Sequence, residues 1–450
     1  MEDFITALEQ GRDVIGAESE RIRQLLVSAE LPTAGLQPIR QIEGWIGEEL
    51  PRLRRRVEII RAGDALAWLP GQGLVAYDEG KVRLPAESRK AGTALGARVA
   101  ELGPPGYWTS VADRELAAGL IAELEAGEDD PDFTAAFFAA LGVEKVLSLP
   151  SVLRQNEFLI DPPAVLSPLR SDERMLRILS VAFGTAVTGG AKVPGFAEIM
   201  DRVRRAAPRE RQGAGLLIGA GKFPAEWLAG LVTAWGGMVQ PKRVHDGVIQ
   251  ALGNNPEAAR LAVREAVGPY TEDQSNLTEL ITGLNERSRQ GPFDDIMPDA
   301  FGRMLAAVAG VYGQRDSRES AVFAYTVMTT LSHVQISDGT RVHLSELAGA
   351  YAVEITEGAT ISDANMTHDS SLEPTRSALG LGSAFTLSPE DTYHFLKTFA
   401  DSAAHLAPFE EGMGRLSQRL LADELAAVTK TKDANGLEGT LKVLGNVSGF

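Results

Sequence analysis

The fold class of this chain is decided by two stretches, EDFITALEQGRDVIGAESERIRQLLVSA (residues 2–29) and PIRQIEGWIGEELPRLRRRVEII (residues 38–60). In the first stretch, apolar or small residues recur at alternating steps of four and three residues, interrupted only at Glu18. This spacing lays a stripe along one face of a helix, as in the seam of a coiled-coil-like pair. The stripe consists of Phe4, Leu8, Gly11, Ile15, Ile22, Leu25 and Ala29.

The first helix is predicted to end before Pro32 and Gly35, because proline and glycine end helices. The second stretch begins after this break. Its apolar residues continue at helical spacing, and Pro51 predicts a kink because proline removes one backbone donor. We therefore predict a long antiparallel helical hairpin over residues 1–68, with stripes that offer a groove to a partner helix. The predicted docking residues are Phe4, Leu8, Ile15, Ile42, Trp45, Ile46 and Gly47.

Composition excludes several classes of function. The chain has 450 residues and a net charge of −17, which argues against nucleic acid as a main partner because phosphate binding needs a basic surface. It contains no cysteine, so disulfides, thiolate catalysis and cysteine-ligated metals are excluded. The local basic run is interpreted as a solvated helix face, with contact to an anionic surface as the alternative. That run consists of Arg52, Arg54, Arg55, Arg56 and Arg61.

Targeting signals of the common kinds are not expected. Residues 1–30 are charged throughout and lack the apolar central run of a cleavable signal peptide. No stretch approaches the roughly eighteen apolar residues that a membrane-spanning helix needs. If the protein leaves the cell, we expect it to use a route other than the general signal-peptide pathway.

The rest of the chain predicts an all-α protein with at most one small β-hairpin. Residues 69–110 are interpreted as a linker with a helix over roughly 86–102, and residues 111–330 as a body of helices separated by Gly or Pro. Residues 331–450 are expected to hold a long loop and a last long helix that starts at Ser388. Residues 332–344 are compatible with a β-hairpin turning at Asp-Gly or with a helix–loop–helix.

The sequence shows no catalytic, metal-binding or cofactor-binding motif. The segment from Leu217 to Phe223 resembles a phosphate loop, but its first glycine is replaced by Leu216 and its hydroxyl residue by Phe223. The six histidines are scattered and lack the spacing of a metal site. We therefore expect a protein that is not an enzyme, and a hydrolase with dispersed catalytic residues is an open alternative.

Four segments resemble a known family. The stretch from Trp45 to Arg56 resembles the second N-terminal helix of large WXG100-like proteins of actinobacteria. These proteins are linked to type VII secretion and often form the front part of polymorphic toxins. The three segments that are similar to the helical body of such proteins are Phe137–Gly142, Leu347–Tyr351 and Asp391–Leu396.

The resemblance implies a secreted or surface-delivered helical protein, and the sequence motifs give no reason to expect a cofactor. Its N-terminal hairpin would pair with a small helical-hairpin partner and be recognised by the secretion machinery. The usual secretion signal is a tyrosine followed four residues later by an acid, and the pair Tyr312 and Asp316 matches it in mid-chain. The alternative is a cytoplasmic scaffold that self-associates through the hairpin.

Overall fold

The fold is described here from a computed structural model, for the following residues: 2–29, 31–66, 83–102, 111–159, 169–270, 274–290, 296–313, 317–360, 368–374 and 381–431. Within these residues the chain forms nineteen α-helices and no strand longer than the isolated bridge between Ser371 and Thr386. The prediction of an all-α fold is thus confirmed. The parts of the predicted linker on either side of its helix, residues 69–82 and 103–110, lie outside the described residues.

Two compact units divide the chain. The first comprises Met1–Val203 with Gly221–Phe223, and the second comprises Arg204–Ala220 with Pro224–Phe450. The helices up to the boundary are α1 (Glu2–Ser28), α2 (Gln37–Leu66), α3 (Pro85–Glu101), α4 (Val111–Glu125), α5 (Pro131–Leu141), α6 (Val143–Leu159), α7 (Leu169–Gly189) and α8 (Phe196–Arg204). The helices beyond it are α9 (Arg211–Ile218), α10 (Ala225–Ala234), α11 (Asp246–Asn254), α12 (Pro256–Val267), α13 (Ser275–Ser288), α14 (Ile296–Val308), α15 (Arg318–Leu331), α16 (Asp338–Ala350), α17 (Ala352–Gly358), α18 (Pro389–Lys397) and α19 (Ala403–Thr431).

The core of the first unit is a cluster of phenylalanine rings on α5, α7 and α8. The Phe138 ring lies 5.0 Å from Phe137 and 5.1 Å from Phe183, both in edge-to-face geometry. Phe196 completes the cluster at 6.0 Å from Phe183. All four side chains are fully buried, so each contributes apolar burial as well as the preferred aromatic geometry.

Glycine lets α3 pack directly against the backbone of α5. A Cβ atom added at Gly92 would lie 2.1 Å from the Phe133 carbonyl oxygen, and one added at Gly96 would lie 2.3 Å from the Phe137 carbonyl oxygen. The two glycines are four residues apart and therefore share one face of α3. Any side chain at either position would force the two helices apart.

The start of α5 is held by a buried charged cluster. Asp130 caps the helix by accepting hydrogen bonds from the backbone N–H groups of Asp132 (3.0 Å) and Phe133 (3.1 Å). Ser88 on α3 donates to the same carboxylate at 2.5 Å. The Arg55 guanidinium, from α2, pairs with Asp130 and, at 2.7 Å, with Asp132.

The interpretation of the basic run as a solvated face is wrong for Arg55, whose side chain is completely buried. Arg52 and Arg54 are exposed, as the interpretation expects. Arg55 differs because it faces the cap of α5, where two carboxylates compensate the cost of removing its charge from water. No pattern in the run itself marks which arginine has these distant partners.

In the second unit, residues 332–344 adopt the helix–loop–helix alternative. Ser337 precedes α16, and Asp338 and Gly339 form its first turn, where the acid faces the positive end of the helix dipole. The predicted cap at Ser388 is present and accepts a hydrogen bond from the Asp391 N–H at 3.1 Å. The helix that follows ends at Lys397, and α19 begins only at Ala403, so the predicted last long helix is two helices.

A polar network joins α14 to α16 inside the second unit. His343 is buried, with Nε2 3.0 Å from Asp299 Oδ1 and Nδ1 2.9 Å from Glu346 Oε2. Tyr312 donates its hydroxyl to the same Glu346 oxygen at 2.7 Å. Burial opposes charge on His343, but its hydrogen bonds with Asp299 and Glu346 outweigh that effect and raise its pKa. The same contacts lower the pKa of each carboxylate against the effect of burial.

This network predicts a defined dependence of stability on pH. Because the pKa of His343 is raised on folding, its contribution is complete below the unfolded value of about 6.5 and is lost as pH rises through the folded value. The melting-temperature difference between wild type and His343→Gln should be larger at about pH 5.5 than at about pH 9. His368→Gln, at an exposed histidine, is measured in parallel as the control variant. A constant difference for His343→Gln would contradict the assignment.

Among the described residues, no single helix has both the length and the apolar character to cross a membrane. The segments Pro131–Leu141 and Val143–Ser151 meet the test only when taken together, with a bend of 94° between them.

Candidate functional site

The N-terminal hairpin is antiparallel and has its own apolar seam. Glu9 of α1 forms an ion pair with Arg54 of α2, and the Glu43 carboxylate reaches the backbone of Gly16. Early residues of α1 thus face late residues of α2, as expected of an antiparallel pair. The buried residues of the seam are Ile5, Ile46 and Leu50, with Leu8, Ile15, Leu53 and Val57 packed partly buried against them.

The predicted docking residues separate into two sets. Ile46, Leu8 and Ile15 belong to the internal seam and are buried or half-buried there. The others point elsewhere: Phe4 is 58%, Ile42 51% and Trp45 59% exposed, and a Cβ at Gly47 would meet nothing within 4 Å. Of the predicted set, the exposed members are therefore available to a partner, whereas the seam residues hold the hairpin itself together.

The expected stripe on α1 is wrong at Phe4, Ile22 and Leu25, which are exposed rather than part of the observed seam. Ile5, not Phe4, enters the seam. The sequence offers neighbouring apolar pairs such as Phe4 with Ile5 and Val14 with Ile15, and each pair supplies two stripes about 100° apart. Spacing alone does not decide which stripe is internal, so the predicted stripe takes residues from both.

The remaining apolar residues define what we call the exposed face. On α1, Phe4, Val14, Ile22 and Leu25 fall within an arc of about 80°, turned about 100° from the seam. Viewed from the N-terminus of each helix, Ile42 and Trp45 on α2 are rotated away from the seam in the same direction as the exposed residues of α1. Because the helices are antiparallel, these two displacements bring both sets to the same side of the hairpin.

Residues of the exposed face on α1 and α2 also lie at similar positions along the hairpin axis. Glu43 stands opposite Gly16, so Trp45 lies at about the level of Val14, and Ile42 at about the level of the following turn, which leads to Ile22. Val14 and Trp45 are therefore neighbours across the exposed face, Ile42 and Ile22 lie one turn further on, and Phe4 lies about 15 Å from Val14 towards the start of α1.

This clustering distinguishes the hairpin from the rest of the chain. Of the fourteen large apolar side chains exposed in the described residues, six belong to this face, and Val27 and Leu31 are exposed elsewhere in the hairpin region. Single exposed apolar residues are normal on protein surfaces, whereas contiguous groups mark interaction sites. The exposed face is thus the candidate functional site.

One group of possible metal ligands was not predicted from the sequence. The ligand atoms of Asp338, Asp401 and His405 lie within 4.8 Å of one another. Arg341 lies among them, 3.0 Å from Asp401 and 3.4 Å from Asp338, and His405 contacts Asp401 at 2.7 Å. The guanidinium supplies the positive charge that these carboxylates need, so an ion-pair network explains the group.

Comparison with known proteins identifies no relative: no protein-family model, no curated protein and no solved structure matches this chain. Of the two residues that match the secretion signal, Asp316 lies outside the described residues. The other, Tyr312, donates a hydrogen bond to Glu346.

Proposed function

We propose that this chain is the non-enzymatic trafficking and structural portion of a type VII-secretion-linked protein or toxin, secreted or displayed at the cell surface. Its N-terminal hairpin docks a small helical-hairpin partner. The observation that supports the proposal is the exposed face, where apolar residues of both helices lie side by side on a hairpin that already has an internal seam.

The chemistry of this face favours a helical partner. An amphipathic helix recognises a groove through apolar residues repeated at three- and four-residue steps, and Ile22 and Leu25 on α1 and Ile42 and Trp45 on α2 follow such steps. Complete burial of one large apolar side chain contributes about 1.5–3 kcal/mol. Several such residues on one face therefore provide a docking energy that single exposed residues elsewhere do not.

Trp45→Ala is expected to separate docking from folding. Because Trp45 is exposed, the free energy of unfolding should change by no more than about 0.5 kcal/mol, as measured by urea denaturation. A tryptophan at the centre of an interface contributes about 2 kcal/mol or more, so export or partner binding should fall clearly. Leu116→Ala, at an isolated exposed leucine, is the matched control and should leave both unchanged.

The biological test is fractionation of a culture of the organism that encodes the protein. The full chain, a chain lacking residues 1–68 and Trp45→Ala are compared in the medium, the cell surface and the cytosol. Appearance of the full chain alone outside unlysed cells would support an export or docking role for the hairpin. Retention of all three in the cytosol would overturn the secretion proposal, and a homodimer lost in Trp45→Ala would then indicate a self-associating scaffold.

A further inference from the structure

The second unit contains a cavity that the proposed function does not use. Its volume is about 490 Å³, within the range of small-molecule sites, and its walls come from α16, from the start of α17, from α19 and from the residues after α14. Apolar and charged groups both line it, so the cavity is neither a dry packing void nor a purely polar surface hollow.

The cavity lies next to a close crossing of α16 and α19. Gly349 and Gly412 both line it, and a Cβ atom added at Gly412 would lie 2.3 Å from the Gly349 Cα atom. The two backbones touch at this point. The position of α19 relative to α16 is therefore fixed there, which holds the cavity walls in place.

On one wall lies the carboxylate of Glu346, which already has hydrogen-bond partners within the protein. Glu346 lines the cavity, and its Oε2 atom receives the Tyr312 hydroxyl and contacts His343 Nδ1. His343 Nε2 is engaged by Asp299, so neither ring nitrogen is available to a molecule in the cavity. This wall therefore offers a ligand the negative charge of Glu346 and no free histidine nitrogen.

The opposite wall supplies positive charge from one face of α19. Glu411, Arg415 and Arg419 follow at four-residue steps and all line the cavity. Arg415 pairs with Glu411, which leaves the charge of Arg419 uncompensated within the described residues. A guanidinium has the planar fork geometry that matches a carboxylate with two parallel hydrogen bonds.

We propose that this cavity binds a small organic carboxylate with a short apolar chain. The Arg419 guanidinium, whose charge is not paired within the described residues, pairs with the carboxylate. The apolar chain lies against Val311, Val353 and Leu416, which line the same cavity. Glu346 repels a second negative charge, so the site selects monocarboxylates over dicarboxylates and phosphate.

The test measures binding of sodium hexanoate to the full-length protein by saturation-transfer NMR. Hexan-1-ol, which has the apolar tail without the carboxylate, and inorganic phosphate, which has the charge without the tail, are measured for comparison. Hexanoate has about eight non-hydrogen atoms, so saturable binding with a Kd of about 1 mM is expected. Arg419→Gln should raise that Kd at least about tenfold, because it removes a charge-assisted pair from an exposed position without disturbing packing. Arg209→Gln, at an exposed arginine outside the cavity, should bind as wild type.

Three results would overturn the proposal. The first is the absence of saturable hexanoate binding up to about 20 mM. The second is equal binding of hexan-1-ol or phosphate, which would show that one half of the ligand suffices. The third is an unchanged Kd in Arg419→Gln when circular dichroism shows that the variant is folded.

Discussion

Replacing Arg55 with alanine should destabilise the first unit by about 3–5 kcal/mol, the largest effect expected of any single charge removal in the hairpin. The Arg55 side chain is completely buried between Asp130 and Asp132, and its loss leaves their carboxylates without their main buried cation. Asp130 also caps α5 and accepts a hydrogen bond from Ser88, so its reorganisation would affect α3 as well.

Urea denaturation followed by circular dichroism measures this loss. Arg54→Ala is the matched control, because the neighbouring arginine is exposed and pairs with Glu9 at the surface. Exposed pairs contribute about 0–1 kcal/mol, so Arg54→Ala should be nearly neutral. Equal effects of Arg54→Ala and Arg55→Ala would show that the buried cluster does not fix α2 to α5.

Phe138→Ala should cost about 3–5 kcal/mol, since it removes a ring at the centre of the aromatic cluster and leaves a cavity. The fully buried ring contacts Phe137, Phe183 and Phe196, so three neighbours lose packing at once. Phe138→Leu keeps most of the volume and should lose clearly less.

The control for this variant is Phe4→Ala, which removes the same side chain from an exposed position. Its effect on the free energy of unfolding should be within about 0.5 kcal/mol. A loss below about 1 kcal/mol for Phe138→Ala would mean that neighbouring rings close the space, and the cluster would then be less rigid than described.

Helix periodicity explains why much of this fold was predictable. The helix expected over residues 86–102 is α3, and the cap expected at Ser388 starts α18, because caps and apolar periods are local properties of the sequence. The two alternatives at residues 332–344 were not separable, since Asp-Gly serves both a hairpin turn and the first turn of a helix.

Features that depend on distant residues were not predictable from one sequence. The seam of α1 was ambiguous because Phe4 and Ile5 are both apolar, and only the position of α2 selects between them. Arg55 meets its carboxylates 75 and 77 residues later, and His343 meets Asp299 44 residues earlier. No spacing rule connects residues so far apart, so the buried cluster and the network appear only when the helices pack.

The position of Arg55 has a mechanical consequence for the hairpin. Trp45 on the exposed face lies ten residues before Arg55 on the same helix, a distance of about 15 Å at 1.5 Å per residue. Tension applied by a partner at Trp45 therefore passes along α2 to the charged cluster, and from there to the start of α5 and to α3. Pulling on the hairpin therefore strains α3 and α5 of the same unit, so the hairpin and these two helices are expected to yield together under force.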